Sequence, residues 1–174
     1  MKREAIFDET GTYRYSLKRK WGNDRERKVA FITLYPDNAD EIREDYVTSK
    51  CITFAKKWGF NAVECLNLFS YRAQKADDLS DLDKEDAIGA ETDRYLYYGT
   101  RNADLVIAAW GKNVFHDREN DIKQLFEGMD LACFSGQENH PSQLQFISYD
   151  TRLMPFELES EEPYLFSAFP SLYR

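Results

Sequence analysis

The chain has 174 residues, 43% of them hydrophobic and 31% charged, ordinary values for a globular domain able to bury one sizeable core. Its 12 Phe, 11 Tyr and 3 Trp exclude disorder as the main state, because disordered segments are poor in aromatic residues. A net charge of −8 disfavours tight non-specific binding to duplex nucleic acid, which depends on neutralising phosphates.

Tyr13-Arg14-Tyr15-Ser16-Leu17 reads as an edge strand. A near-continuous apolar run over 29–34 follows, as expected of a strand covered on both faces. Cys51, Ile52, Ala55 and Trp58 keep helical spacing, with Asp45 and Thr48 at the start and Gly59 where a helix C′ residue belongs. Runs over 62–69, 103–110 and 131–134 predict three more strands. Between them, 91–98 is a weaker helical stretch, and Ile122, Leu125, Phe126 and Met129 repeat the helical stripe after an Asp117 start. This alternation predicts an α/β fold: a single-domain three-layer sandwich over residues 1–156, with a mostly parallel, roughly four-stranded central sheet. Residues 157–174, with Pro163 and Pro170, read as a tail whose Tyr164, Leu165, Phe166 and Phe169 pack on the body.

The charge is unevenly spread. Residues 1–30 carry nine Lys/Arg against five Asp/Glu, about +4, leaving about −12 elsewhere. Arg14, Lys18, Arg19, Lys20, Arg25, Arg27 and Lys28 make a basic cluster that can hold one phosphate or a short strand. Segment 77–93 has eight acids around Lys84 alone; it reads as solvated surface or as a face for a protein partner. Cys51, Cys65 and Cys133 lack metal-ligand spacing and read as reduced, buried thiols, so neither a metal nor a cofactor is expected. The longest uncharged apolar run, 105–111, falls far short of the roughly 20 residues of a membrane span. No apolar stretch follows the charged start, so no secretory signal is expected and the location is expected to be cytoplasmic.

In open parallel sheets ligands bind beyond the carboxyl ends of the strands. Here those ends are 35–40, 67–72, 110–113 and 135–142, each rich in polar groups, and they are expected to converge.

The residues at these ends carry a resemblance. Tyr13-Arg14-Tyr15, Leu17, Trp21-Gly22, Leu34-Tyr35-Pro36-Asp37-Asn38-Ala39-Asp40, Asp45, Thr48, Phe54-Ala55, Trp58-Gly59, Asn67-Leu68-Phe69-Ser70-Tyr71-Arg72-Ala73, Ala109-Trp110-Gly111 and His140-Pro141 resemble the domain of unknown function 1643 family over roughly residues 5–150. Three segments also resemble the uracil-DNA glycosylase superfamily, an α/β fold with a four-stranded parallel sheet. They are Leu34-Tyr35-Pro36-Asp37, Val63-Glu64-Cys65-Leu66-Asn67 and His140-Pro141-Ser142-Gln143-Leu144. That resemblance implies water orientation in the first, base reading by Asn67 in the second, and in the third a His140 that stabilises charge on the departing base beside a Ser142 that contacts phosphate.

Those roles suit cleavage of an N-glycosidic bond, in which negative charge grows on the base and a positioned donor such as His140 stabilises it. An amide supplies both donor and acceptor, and Tyr35 or Phe69 can stack on a flat heterocycle. Arg72 is the expected phosphate clamp. Tyr35 departs from both families, which have Asn or Asp before the proline, and a phenol with a pKa of about 10 orients water poorly at neutral pH. Asp37 is the expected replacement, with Asp40 and Asp45 as alternatives. Ala73-Gln74-Lys75-Ala76 also departs from the Thr-Asp-Pro of the first family. The expected function is thus glycosylase-like: acting on or binding a nucleobase in a nucleotide, or in single-stranded or modified DNA. A non-catalytic nucleotide-binding module and an acidic protein-interaction or inhibitor protein are the alternatives.

Overall fold

The computed structural model describes residues 1–135 and 140–158; the expected packing of Tyr164, Leu165, Phe166 and Phe169 lies outside the described residues. Four strands, β3 (Lys28–Thr33), β4 (Ala62–Asn67), β5 (Leu105–Ala108) and β6 (Leu131–Phe134), coincide with the four apolar runs. They are parallel to one another in the order β4-β3-β5-β6. Burial on both faces explains why their sequences are apolar rather than alternating.

The sheet is larger and more mixed than a four-stranded parallel one. Strands β1 (Lys2–Phe7) and β2 (Arg14–Lys20) add antiparallel at one side, and β7 (Leu153–Phe156) adds antiparallel at the other. Strand β2 is therefore interior, paired to β1 and β4, rather than an edge. The β1–β2 hairpin closes where the Asp8 carboxylate accepts from the amides of Thr10 (3.1 Å) and Tyr13 (2.8 Å), with Gly11 at φ +72°. On β7, Pro155 has no amide to donate, which an edge strand tolerates.

Helix α1 (Tyr46–Lys57) starts at Asp45, whose Oδ1 accepts from the Thr48 amide at 2.6 Å, and stops before Gly59 at φ +80°. It covers one face of the sheet, over Val29, Phe31, Val63, Cys65 and Ile107. The other face, with Ala30, Ile32, Leu66, Val106 and Ala108, packs on Leu79, Ala87, Leu96 and Ile122. These come from α2 (Asp77–Ser80), α3 (Lys84–Ile88), α4 (Thr92–Arg101) and α5 (Arg118–Leu125). Helix α5 ends before Met129, because Gly128 at φ +72° turns the chain into β6.

The basic cluster is split: Arg25 and Arg27 are exposed and Lys18 and Lys20 half-buried, but the other three face inward. Arg14, Arg19 and Lys28 are buried. Arg19 Nε donates to Glu44 at 2.9 Å and its other nitrogens to main-chain carbonyls, including that of Asp40. Lys28 Nζ donates to Glu64 at 2.6 Å. Much of the acidic segment is likewise tied into structure. Leu79 and Ala87 are core residues, Asp78 accepts from the Gln74 and Lys75 amides, and Asp93 pairs with buried Arg118. Among the described residues no helix is long and apolar enough to cross a membrane.

Candidate functional site

The carboxyl ends of β3, β4 and β5 open into a cavity of about 350 Å³ on the α1 side of the sheet. This volume falls at the lower end of the roughly 300–1,000 Å³ typical of small-molecule sites. Thr33 and Tyr35 enter it at the end of β3, and Trp110 follows β5. Asp45, Val47 and Thr48 bring the start of α1 to one wall. Gln143, Leu144 and Gln145 form a rim around a short 3₁₀ turn, Leu144–Phe146.

Three side chains hold these walls, buried Arg14 and Lys50 and half-buried Asp45. Arg14 Nη1 donates to the carbonyls of Ala39 (2.7 Å) and Asp37 (3.2 Å), shaping the loop after β3. Asp45 Oδ2 accepts from the Ala39 amide at 2.7 Å, so one carboxylate fixes both the loop and the helix start. Opposite, the buried amine of Lys50 on α1 donates to the carbonyls of Leu144 (3.1 Å), Gln145 (3.2 Å) and Ile147. Gly111, at φ +87°, lets the Gln143 side chain lie against the backbone; a Cβ there would sit 2.5 Å from Gln143 Cγ.

The cavity is polar and charged on one side. Burial, and then the Asp45 charge, raise the Asp37 carboxyl above its usual 3.8, favouring its neutral form. Burial, then Asp37 and Asp78, raise the Tyr35 phenol, so it remains a hydroxyl donor. Burial also works against the Arg14 cation, while Asp45 and Asp37 support it. Cys65 lies at the floor; its neighbour Cys51 is held well above the usual thiol value by burial and by the Cys65 contact, which keeps that thiol inert. Among the described residues no three His, Cys, Asp or Glu converge to hold a metal.

A family described as "Protein of unknown function (DUF1643)" matches residues 14–142. The chain belongs to that family. No curated protein and no solved structure matches the chain. The DUF1643 segment begins at Arg14 and includes every wall of the cavity except the Gln143–Gln145 rim.

The expected site residues divide into four groups. Tyr35 and Asp37 line the cavity, as do Asp45 and Thr48. Asn67 is buried beside it: the residue shares the α1 face of β4 with Cys65 and pairs in register with Thr33, both lining residues. Its Nδ2 donates to Thr33 Oγ1 at 2.6 Å, while its Oδ1 has no partner among the described residues. His140 and Ser142 line an adjoining hollow of about 150 Å³, together with Lys112; Gln143 walls both.

Phe69 and Arg72 are not among the lining residues. Phe69 is fully buried in the core on the opposite face and meets His116 edge-on at 6.2 Å. Arg72 is exposed, donates to the Gly11 carbonyl at 3.0 Å and lies over the Phe7 ring. The arginine that does reach the cavity is Arg14, whose place could not be read from its basic neighbourhood.

Proposed function

We propose that this protein binds a nucleobase-bearing molecule of single-nucleotide size in the cavity at the carboxyl ends of β3, β4 and β5. The observation that carries this reading is the composition of one cavity of about 350 Å³. An aromatic (Tyr35), a carboxyl held towards neutrality (Asp37), an arginine and a run of amide donors surround it. Aromatic stacking is worth roughly 1–3 kcal/mol per base, and amides and acids can read a base edge. The small volume and the net charge of −8 favour a free nucleotide, or one nucleotide of a single strand, over duplex DNA.

Thermal-shift measurements against nucleobases, nucleosides, nucleotides and short oligonucleotides test it. A ligand at 100 times its Kd adds about 2.7 kcal/mol to the folded state, a clear rise in Tm. A flat response across the panel removes the reading.

Asp37 favours a second, glycosylase-like reading in which its carboxylate positions water for hydrolysis of the N-glycosidic bond. A raised carboxyl pKa brings a general base nearer to working pH. In this reading His140 would act from the adjoining hollow. Asp37→Asn should reduce release of free base by about 10²–10⁴-fold, while nucleotide binding persists. The same substitution carries a stability signature. Because folding raises the Asp37 pKa, ionisation destabilises the native state as pH rises through the native value. The Asn variant should therefore melt higher than the parent at pH 7, and the two should converge below the ordinary value of 3.8.

A further inference from the structure

We propose that Arg14 is an anion receptor within this cavity, so that the ligand is a nucleoside monophosphate whose phosphate Arg14 binds, rather than a free base or nucleoside. The inference rests on the cavity reading above and specifies which end of the ligand is charged.

Among the described residues three arginines are essentially fully buried: Arg14, Arg19 and Arg118. Arg19 has Glu44 at 2.9 Å and Arg118 has Asp93. Among the described residues, Arg14 has no carboxylate within ion-pair distance and its Nε has no hydrogen-bond partner. It is also the one of the three that lines the cavity. A buried guanidinium with no carboxylate beside it is costly unless an anion compensates its charge. Its planar fork matches a phosphate.

The backbone is built to send it there. Strand β1 pairs Ile6 with Ser16 and then Phe7 with Arg14, so Tyr15 is an extra residue in β2. Tyr15 and Ser16 both turn to the α4 face: Tyr15 stacks on Tyr95 at 5.4 Å, and Ser16 donates to Glu64, which lies against Gly99. The bulge thus restores Arg14 to the α1 face; in regular alternation it would share the face of Ser16.

The facing acids leave room for an anion. Both oxygens of Asp45 accept from main-chain amides, those of Ala39 and Thr48. Asp37 Oδ1 accepts from the amide and side chain of Asn38, and when protonated its acid can donate to a phosphate oxygen. The start of α1 adds the positive end of a helix dipole to the same wall.

Isothermal titration of the parent protein with matched nucleosides, their 5′-monophosphates and inorganic phosphate tests the proposal without altering the fold. The monophosphate should bind at least about tenfold more tightly than its nucleoside, the scale of a hydrogen bond to a charged group. Arg14→Gln and Arg14→Lys should lose most of that preference, and Arg72→Gln should keep it. Equal affinity for nucleoside and monophosphate overturns the anion receptor but leaves the cavity reading standing. Phosphate binding that Arg14→Gln abolishes, with no response to any nucleoside, supports the receptor and overturns the nucleobase reading. No binding of any of the three overturns both.

Discussion

Glu64→Leu should destabilise the protein by about 3–5 kcal/mol, the usual result of removing one partner from a buried ion pair. Glu64 and Lys28 sit on adjacent strands, on the face covered by α4, with Nζ to Oε2 at 2.6 Å. Their side chains are 2% and 6% exposed, so water compensates poorly for the lost partner. Ser16 donates to the second oxygen at 2.7 Å, and Lys18 approaches it at 3.7 Å. Leucine would thus strand a lysine and a hydroxyl at once. In a chain of this length the loss should lower Tm by roughly 10 °C.

The double variant Lys28→Met with Glu64→Leu should recover most of this stability, because replacing both charges with apolar groups of similar volume is often neutral or favourable. Urea denaturation of the two single variants and the double variant measures the coupling directly. If Glu64→Leu costs under about 1 kcal/mol, the pair is solvated and its burial contributes nothing. Lys28 opens β3 whereas the cavity lies beyond its last residue, Thr33. Protein that remains folded should therefore bind ligand like the parent.

The apolar runs of β3, β4, β5 and β6 were legible because strands covered on both faces need little else. Helix α1 was legible for another reason: Asp45 and Gly59 mark its ends by chemistry that does not depend on the rest of the fold. Strands β1 and β7 escaped notice. Lys2-Arg3-Glu4 carries three charges with no apolar alternation, and Pro155 normally argues against a strand. Both are edge elements, paired on one side only, so their sequences are less constrained.

At the site, Tyr35 and Asp37 were legible because they directly follow a parallel strand, where the fold places ligands. Arg14 was not, since its direction depends on a one-residue bulge that leaves no mark in composition. Basic residues also look alike in sequence whether they are solvated or, like Arg19 and Lys28, consumed by internal pairing. In segment 67–72 the backbone leaves regular alternation. Asn67 stays beside the cavity, Phe69 turns into the opposite core, and Arg72 emerges near the β1–β2 hairpin.

That divergence makes Phe69 and Tyr35 separable by experiment. Phe69→Ala should cost about 3–5 kcal/mol, because the fully buried ring packs in the core with Leu34, Leu68 and Leu79 and leaves a large void. The loss should appear in the urea midpoint with an unchanged m-value. Tyr35→Ala removes a half-buried ring at the mouth of the cavity and should cost about 1 kcal/mol. It should nevertheless weaken nucleotide binding by the roughly 1–3 kcal/mol of a stacked base. The two effects are thus expected to differ in kind: Phe69 is a fully buried core ring, whereas Tyr35 packs at the edge of the same core and is the ring proposed to meet the ligand. A Phe69→Ala protein that kept its stability yet lost nucleotide affinity would instead put Phe69 against the base and Tyr35 outside the contact.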